Sequence, residues 1–148
     1  MKVVIQRVAK ASVSISNIEY SAINNGLLVF VGFNNMDNSI DIEKITKKII
    51  NLRIFSDLNH KMNLSLNDIN GELLIVSQFT LYANCKKGNR PSFIESASSI
   101  DAENIYNQFV NYIKSKYKNV KTGKFGELMD INLINNGPVT IQLDSEKL

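Results

Sequence analysis

Apolar and polar residues alternate near the start of the chain, most cleanly at Ala11, Val13 and Ile15. A period of two marks a strand with one buried face. The stretch "KVVIQRVAKASVSIS" therefore predicts two strands. "GLLVFVGF", from Gly26 to Phe33, is a short apolar run bounded by glycine, the pattern of a buried strand. The period then changes. Ile42, Ile45, Ile49 and Leu52 recur at helical spacing, and Asn38 or Ser39 can cap the helix ahead of Asp41 and Glu43. "NLRIFSD" reads as an extended piece, "LNHKMNLSLNDING" as polar and turn-rich, and "ELLIVSQFTLYA" as the strongest strand in the chain.

The long loop "KKGNRPSFIESASS" follows. A second helix is predicted from Asp101 to Tyr117, with Ile105, Phe109 and Ile113 in one stripe and Ser98 or Ser99 as its cap. "TGKFGELMDINLI" and "PVTIQL" are the closing strands. The order is strands, helix, strands, helix, strands. No repeat or linker interrupts it, so the expectation is one α/β domain over residues 1–148 with a mixed sheet. Gly137-Pro138 falls between the last two apolar runs. Proline has no N–H and is excluded from central strands, so this dipeptide implies a turn, or a rigid backbone device that works without side chains.

Composition narrows the class. At 148 residues and 44% hydrophobic content the chain can bury a substantial core. No apolar run approaches the ~20 residues of a membrane span, and the N-terminal stretch lacks the apolar core of a signal peptide. The single cysteine, Cys85, cannot form an internal disulfide, which fits a reducing, cytoplasmic setting. The net charge is only +3, yet basic residues cluster in "CKKGNRPSF" and in "KSKYKNVKTGK". A polyanion is a permitted partner, and a solvated loop and helix end are the plainer account.

The usual catalytic sets are missing. His60, the only histidine, sits in a polar stretch, and Cys85 has no second cysteine and no nearby histidine. There is no metal-ligand spacing, and "TGKFG" lacks the spacing of a phosphate loop, so no metal and no cofactor are expected. What remains is "SQFT", Ser77 to Thr80, at the end of the strongest strand. Alternation would place Ser77 and Phe79 on one face and Gln78 and Thr80 on the other. Thr80 is a nucleophile only with a base, and none adjoins it in sequence. Backbone N–H groups of this segment are the alternative, as donors to a developing oxyanion.

"IQRVAKASV", "NLRIFSD", "KMNLSL", "VSQFTLYA", "KGNRPSF", "TGKFGELM" and "NNGPVT" occur here in one order over essentially the whole chain. In this the sequence resembles the D-aminoacyl-tRNA deacylases, and "SQFT" together with "GPVT" is specific to that family. The resemblance implies a homodimer with two active sites at the subunit interface. It implies hydrolysis of the ester joining a D-amino acid, or glycine, to the 3′-terminal adenosine of tRNA. It casts Ser77, Gln78, Phe79 and Thr80 as the catalytic segment, with main-chain N–H groups near Gln78 and Phe79 polarising the carbonyl. It casts Gly137 and Pro138 as a Gly-cis-Pro motif inserted by one subunit into the other's pocket, where it excludes L side chains. Phe125 and Met129 match positions near the adenosine, and Arg7 is placed to bond the Gly-Pro turn. Lys86, Lys87 and Arg90 would meet acceptor-stem phosphates. DNA binding is compatible with such a surface and is not expected. A non-catalytic nucleic-acid-binding module is the competing function. The family usually has Asp where this chain has Asn136, often Gly where it has His60, and Ala where it has Glu127.

Overall fold

The computed structural model describes all 148 residues. The order is β1 (Lys2–Ile15), β2 (Ile18–Ile23), β3 (Gly26–Gly32), α1 (Ser39–Asn51), β4 (Phe55–Ser56), β5 (Met62–Leu64), β6 (Glu72–Ser77), α2 (Ser99–Lys116), β7 (Val120–Thr122) and β8 (Asp130–Asp144). A short 3-10 turn, Phe79–Tyr82, follows β6. The main sheet runs β2-β1-β3-β6-β7, with β8 on β1. Pairing of β3 with β6 and of β6 with β7 is parallel; the β1 pairings are antiparallel. The expected single α/β domain with a mixed sheet and two helices is what forms.

Both faces of β3 and β6 are buried, which is why these strands read as unbroken apolar runs. Leu27, Val29, Val31, Leu73 and Ile75 point toward the helices, meeting Ile45 and Ile49 of α1 and Phe109 and Ile113 of α2. Leu28, Leu74 and Val76 point the other way, into a smaller cluster with Val8, Ala11, Val13 and Ile23. The helices begin at the caps the sequence offers. The Asn38 side chain accepts from Ile40 N–H at 2.9 Å, while Asp41 accepts from Asn38 N–H at 3.1 Å. Such a box is worth about 1 kcal/mol. Ser98 Oγ accepts from Asp101 N–H at 3.2 Å, so α2 starts at Ser99, two residues earlier than the apolar stripe indicated.

Three expectations need correction. The opening stretch is one 14-residue strand, not two. Near Ala9 and Lys10, both exposed, it carries a pair of register shifts in the β1–β8 ladder, between Gln6 and Val8 and between Val8 and Lys10. There the ribbon passes from the helix-side core, where Val3 and Ile5 lie, to the second cluster, where Val8, Ala11 and Val13 lie. Bulges are how a strand turns such a corner. The last two strands are likewise one, β8, and Gly137-Pro138 lies inside it at that corner, in the segment where direct pairing with β1 is interrupted. The missing N–H costs no ladder bond there. Finally, "ELLIVSQFTLYA" is a strand only to Ser77; Phe79–Tyr82 winds into the 3-10 turn.

Candidate active site

A cavity of about 630 Å³ opens at the carboxyl ends of the parallel strands β3 and β6, the usual place for a ligand in an α/β sheet. Val31, Gly32 and Phe33 supply one wall, Val76 to Phe79 another, and the first turn of α2 a third through Ser99 and Ala102. Residues Phe125 to Met129 and Ile131 close the remaining side.

The Ser77–Thr80 segment takes its shape from close backbone packing. Gln78 N–H donates to the Val31 carbonyl at 2.7 Å, which carries the parallel pairing one step past the end of β6. A Cβ on Gly32 would stand 2.7 Å from the Gln78 carbonyl oxygen, so only glycine lets the two backbones approach this closely. The chain then turns, and Leu81 N–H closes back on the Gln78 carbonyl at 3.3 Å. Tyr82 is buried beneath the turn, and that burial pushes its phenol well above the ordinary range. This changes the expected facing. Ser77, Gln78 and Phe79 all line the cavity, whereas Thr80 is exposed beside it and holds a hydrogen bond from Gln78 Nε2. It also changes the donors. Gln78 N–H is committed to Val31, so of the two expected groups Phe79 N–H remains, at the first position of the turn, where a helical N–H has no partner within its own element.

Phe125 and Met129 are in the cavity wall, but in a loop, not in the strand expected over 123–129. Phe125 is half-buried against Tyr106 of α2, with ring centroids 5.4 Å apart. Glu127 is the one ionisable side chain lining the cavity. It pairs with Lys124 at 2.9 Å, and that hydrogen bond raises the lysine's affinity for its proton.

The basic loop stands off the rim. An Asn84–Ser92 bridge closes its base, Lys86, Lys87 and Arg90 are exposed, and Phe93 just beyond enters the cavity wall. Phe93 meets Phe79 edge-on, with centroids 5.0 Å apart, so the loop and the Ser77–Thr80 segment share an aromatic contact.

Gly137, Pro138 and Arg7 do not line this cavity. Gly137 sits opposite the start of β3, about 15 Å along the strands from the cavity end. Its bond to Pro138 is cis, and both residues are exposed. The turn is held from behind. Arg7, only 9% exposed, donates from Nε to the Asn136 carbonyl at 3.1 Å and from Nη1 to the Ile54 carbonyl at 2.6 Å. Asn135 spans the turn, accepting from Val139 N–H at 3.2 Å and donating to Thr140 Oγ1 at 3.1 Å. Gly137 has φ +122, and a Cβ there would lie 2.7 Å from Arg7 Nη2. His60 and Cys85 are both exposed and outside the cavity.

Sequence reasoning missed Phe93, Ser96, Ser99 and Ala102 as cavity residues. Ser96 Oγ is buried without a hydrogen-bond partner. Short polar and small residues in a loop and at a helix start carry no periodic signal that would have found them.

An α/β domain with an apolar pocket at its strand ends and a backbone-built polar wall is an architecture suited to a hydrolase acting on a small acyl group. The comparisons place it more closely. The family model described as D-Tyr-tRNA(Tyr) deacylase matches residues 4–144. A D-aminoacyl-tRNA deacylase of Thermosipho africanus is 55% identical over 148 residues, covering 100% of this chain and 99% of the relative. One of Petrotoga mobilis is 50% identical over 149 residues, again with 100% and 99% coverage. The solved structure titled c-Myc DNA Unwinding Element Binding Protein superposes with TM-score 0.93 at 40% identity, covering 97% of this chain and 98% of that one. A probable eukaryotic D-amino acid tRNA deacylase shares the fold, with TM-score 0.82 at 17% identity and coverages of 96% and 97%. The chain belongs to the D-aminoacyl-tRNA deacylase family, hydrolases of the aminoacyl-tRNA ester bond.

Proposed function

We propose that this enzyme removes D-amino acids, and glycine, from the 3′-terminal adenosine of tRNA, working in the cytoplasm as a homodimer whose active sites lie at the subunit interface. The observation that carries the reading is the separation of the cavity and the Gly-Pro turn. The cavity holds Ser77, Gln78 and Phe79, while the braced Gly137-Pro138 turn projects from another part of the same chain. Two copies related by a two-fold axis would supply each cavity with the partner's turn.

In this arrangement the terminal adenosine lies against Phe125 and Met129, since an aromatic ring and a thioether suit a base. The ester carbonyl points at Phe79 N–H, which stabilises the oxyanion as it develops. No histidine or lysine lines the cavity. Water is the attacking group, with the substrate's ribose 2′-OH assisting, and Thr80 positions the segment through its bond with Gln78. The carbonyl oxygens of the partner's Gly-Pro turn hold the substrate's amino group. They occupy the direction an L side chain would need, so selection works by exclusion. D side chains point outward, and glycine has nothing to exclude. Lys86, Lys87 and Arg90 contact acceptor-stem phosphates without reading sequence.

The test is hydrolysis of matched D- and L-tyrosyl-tRNA. Loss of the D ester alone is expected. Loss of both would remove the exclusion role of Gly137-Pro138. Loss of neither, with RNA or DNA retained on the protein, would favour the binding module.

A further inference from the structure

The lysine run at the end of α2 is absorbed by none of this. Within "KSKYKNVKTGK", two lysines are tied down: Lys121 pairs with Glu72 at 3.7 Å, and Lys124 with Glu127 at 2.9 Å. Lys114, Lys116 and Lys118 are exposed and pair with no carboxylate. The helix end that carries them is held nonetheless. Lys116 Nζ lies 5.2 Å over the Tyr112 ring. Tyr117 between them is buried, its hydroxyl donating to the Gly71 carbonyl at 2.6 Å, so the chain leaves the helix in one direction.

The rest of the helix points the same way. Its acids, Asp101 and Glu103, stand in the first turns, and none occurs from Asn104 to Lys118. Asn104, Asn107, Asn111 and Lys114 recur at spacings of three and four and are all exposed, one stripe of hydrogen-bonding side chains that ends on a lysine. Lys116 closes the helix and Lys118 lies just past its Tyr117 cap, both exposed. A face that merely keeps a protein soluble mixes both signs. The helix itself begins at the cavity, where Ser99 and Ala102 form part of the wall.

We infer that Lys114, Lys116 and Lys118 are a second contact for the phosphate backbone of the RNA substrate, distinct from the loop of Lys86, Lys87 and Arg90. From Ser99 to Lys116 the helix rises about 25 Å. At ~3.4 Å per stacked nucleotide this reaches a backbone roughly seven nucleotides from the 3′ end. Amide side chains along the way suit phosphate oxygens and ribose hydroxyls, and no base is read. The inference rests on the deacylase reading.

The experiment compares the wild type with a triple variant, Lys114→Ala with Lys116→Ala and Lys118→Ala, on two substrates: full-length D-tyrosyl-tRNA and D-tyrosyl-adenosine. For the full tRNA the variant is expected to show KM raised about tenfold. The slope of log kcat/KM against log salt should flatten by about 2, since three lost contacts at ~0.7 each are removed. Hydrolysis of the adenosine ester should not change, and the triple Lys→Arg variant should keep the wild-type slope. An unchanged slope on tRNA would overturn the inference. So would an equal loss on both substrates, because the effect would then pass through the cavity. Failure of the wild type to cleave either ester would instead overturn the deacylase reading.

Discussion

The cavity and the Gly137-Pro138 turn are built in opposite ways. The cavity is concave, largely apolar and assembled from elements far apart in sequence, from Val31 to Ile131. Its polar groups are the main chain at β3 and the 3-10 turn and the side chains of Ser77, Gln78, Ser96, Ser99 and Glu127. The Gly-Pro turn is exposed and local, its shape set by side chains behind it: Arg7 on Asn136 and Ile54, Asn135 on Val139 and Thr140. The first has room for a ligand and little to orient it. The second has an exposed, braced backbone and no room. Each supplies what the other lacks, and within one chain they do not meet. Rigidity is the common thread, and the proposed selection by exclusion depends on it, since an excluding group that yields excludes nothing.

Four substitutions would sharpen or break this comparison. The largest effect is expected at the cavity's backbone donor. Phe79→Pro removes an N–H at the first position of a helical turn, where proline fits. Losing one oxyanion donor should lower kcat on the order of 10² to 10³-fold, while Phe79→Ala, which keeps the N–H, should lose far less. Equal losses in single-turnover assays would assign the effect to the ring. Next is the turn. Gly137→Ala places a methyl against Arg7 at φ +122, and a shift of about 1 Å in a positioning group costs on the order of 10²-fold. The ratio of D- to L-tyrosyl-tRNA hydrolysis should collapse by that order while a melting curve stays cooperative. An unchanged ratio would separate the turn from chirality.

Phe125→Ala should raise KM about tenfold with kcat nearly kept, since stacking on a base is worth about 1–3 kcal/mol. A kcat effect alone would place the adenosine elsewhere. The smallest effect is expected at Thr80→Ala, within about tenfold in kcat, because Thr80 lies outside the cavity lining. A loss beyond a thousandfold would make its hydroxyl the nucleophile and end the backbone account.

How much of this could be read from the residues depends on what each region uses to fold. Asn38 and Ser98 announced the helices because a cap is a local device. β3 and β6 were legible because burial on both faces leaves an apolar run. The Ser77–Thr80 segment reads as strand because Phe79, Leu81 and Tyr82 continue that run, although Tyr82 is buried in the core and Phe79 serves the cavity. Phe125 and Met129 were placed in a strand for the same reason. The opening strand reads as two because its buried face passes from the helix-side core to the second cluster at the bulges between Gln6 and Lys10. That Gln78 N–H is spent on Val31 follows only from the packing of two backbones. Motif resemblance found Ser77 to Thr80 and Gly137-Pro138; it could not find Ser96 or Ala102, whose contribution is position alone.

The most direct test of a shared site is complementation. Phe79→Pro disables a cavity and leaves its turn intact; Gly137→Ala does the reverse. Each homodimer should be nearly inactive on D-tyrosyl-tRNA. Unfolded together and refolded in equal amounts, they should recover about a quarter of wild-type activity, because half the dimers are mixed and each mixed dimer has one intact site. No recovery, with mixed dimers demonstrated by mass, would mean that cavity and turn act within one chain.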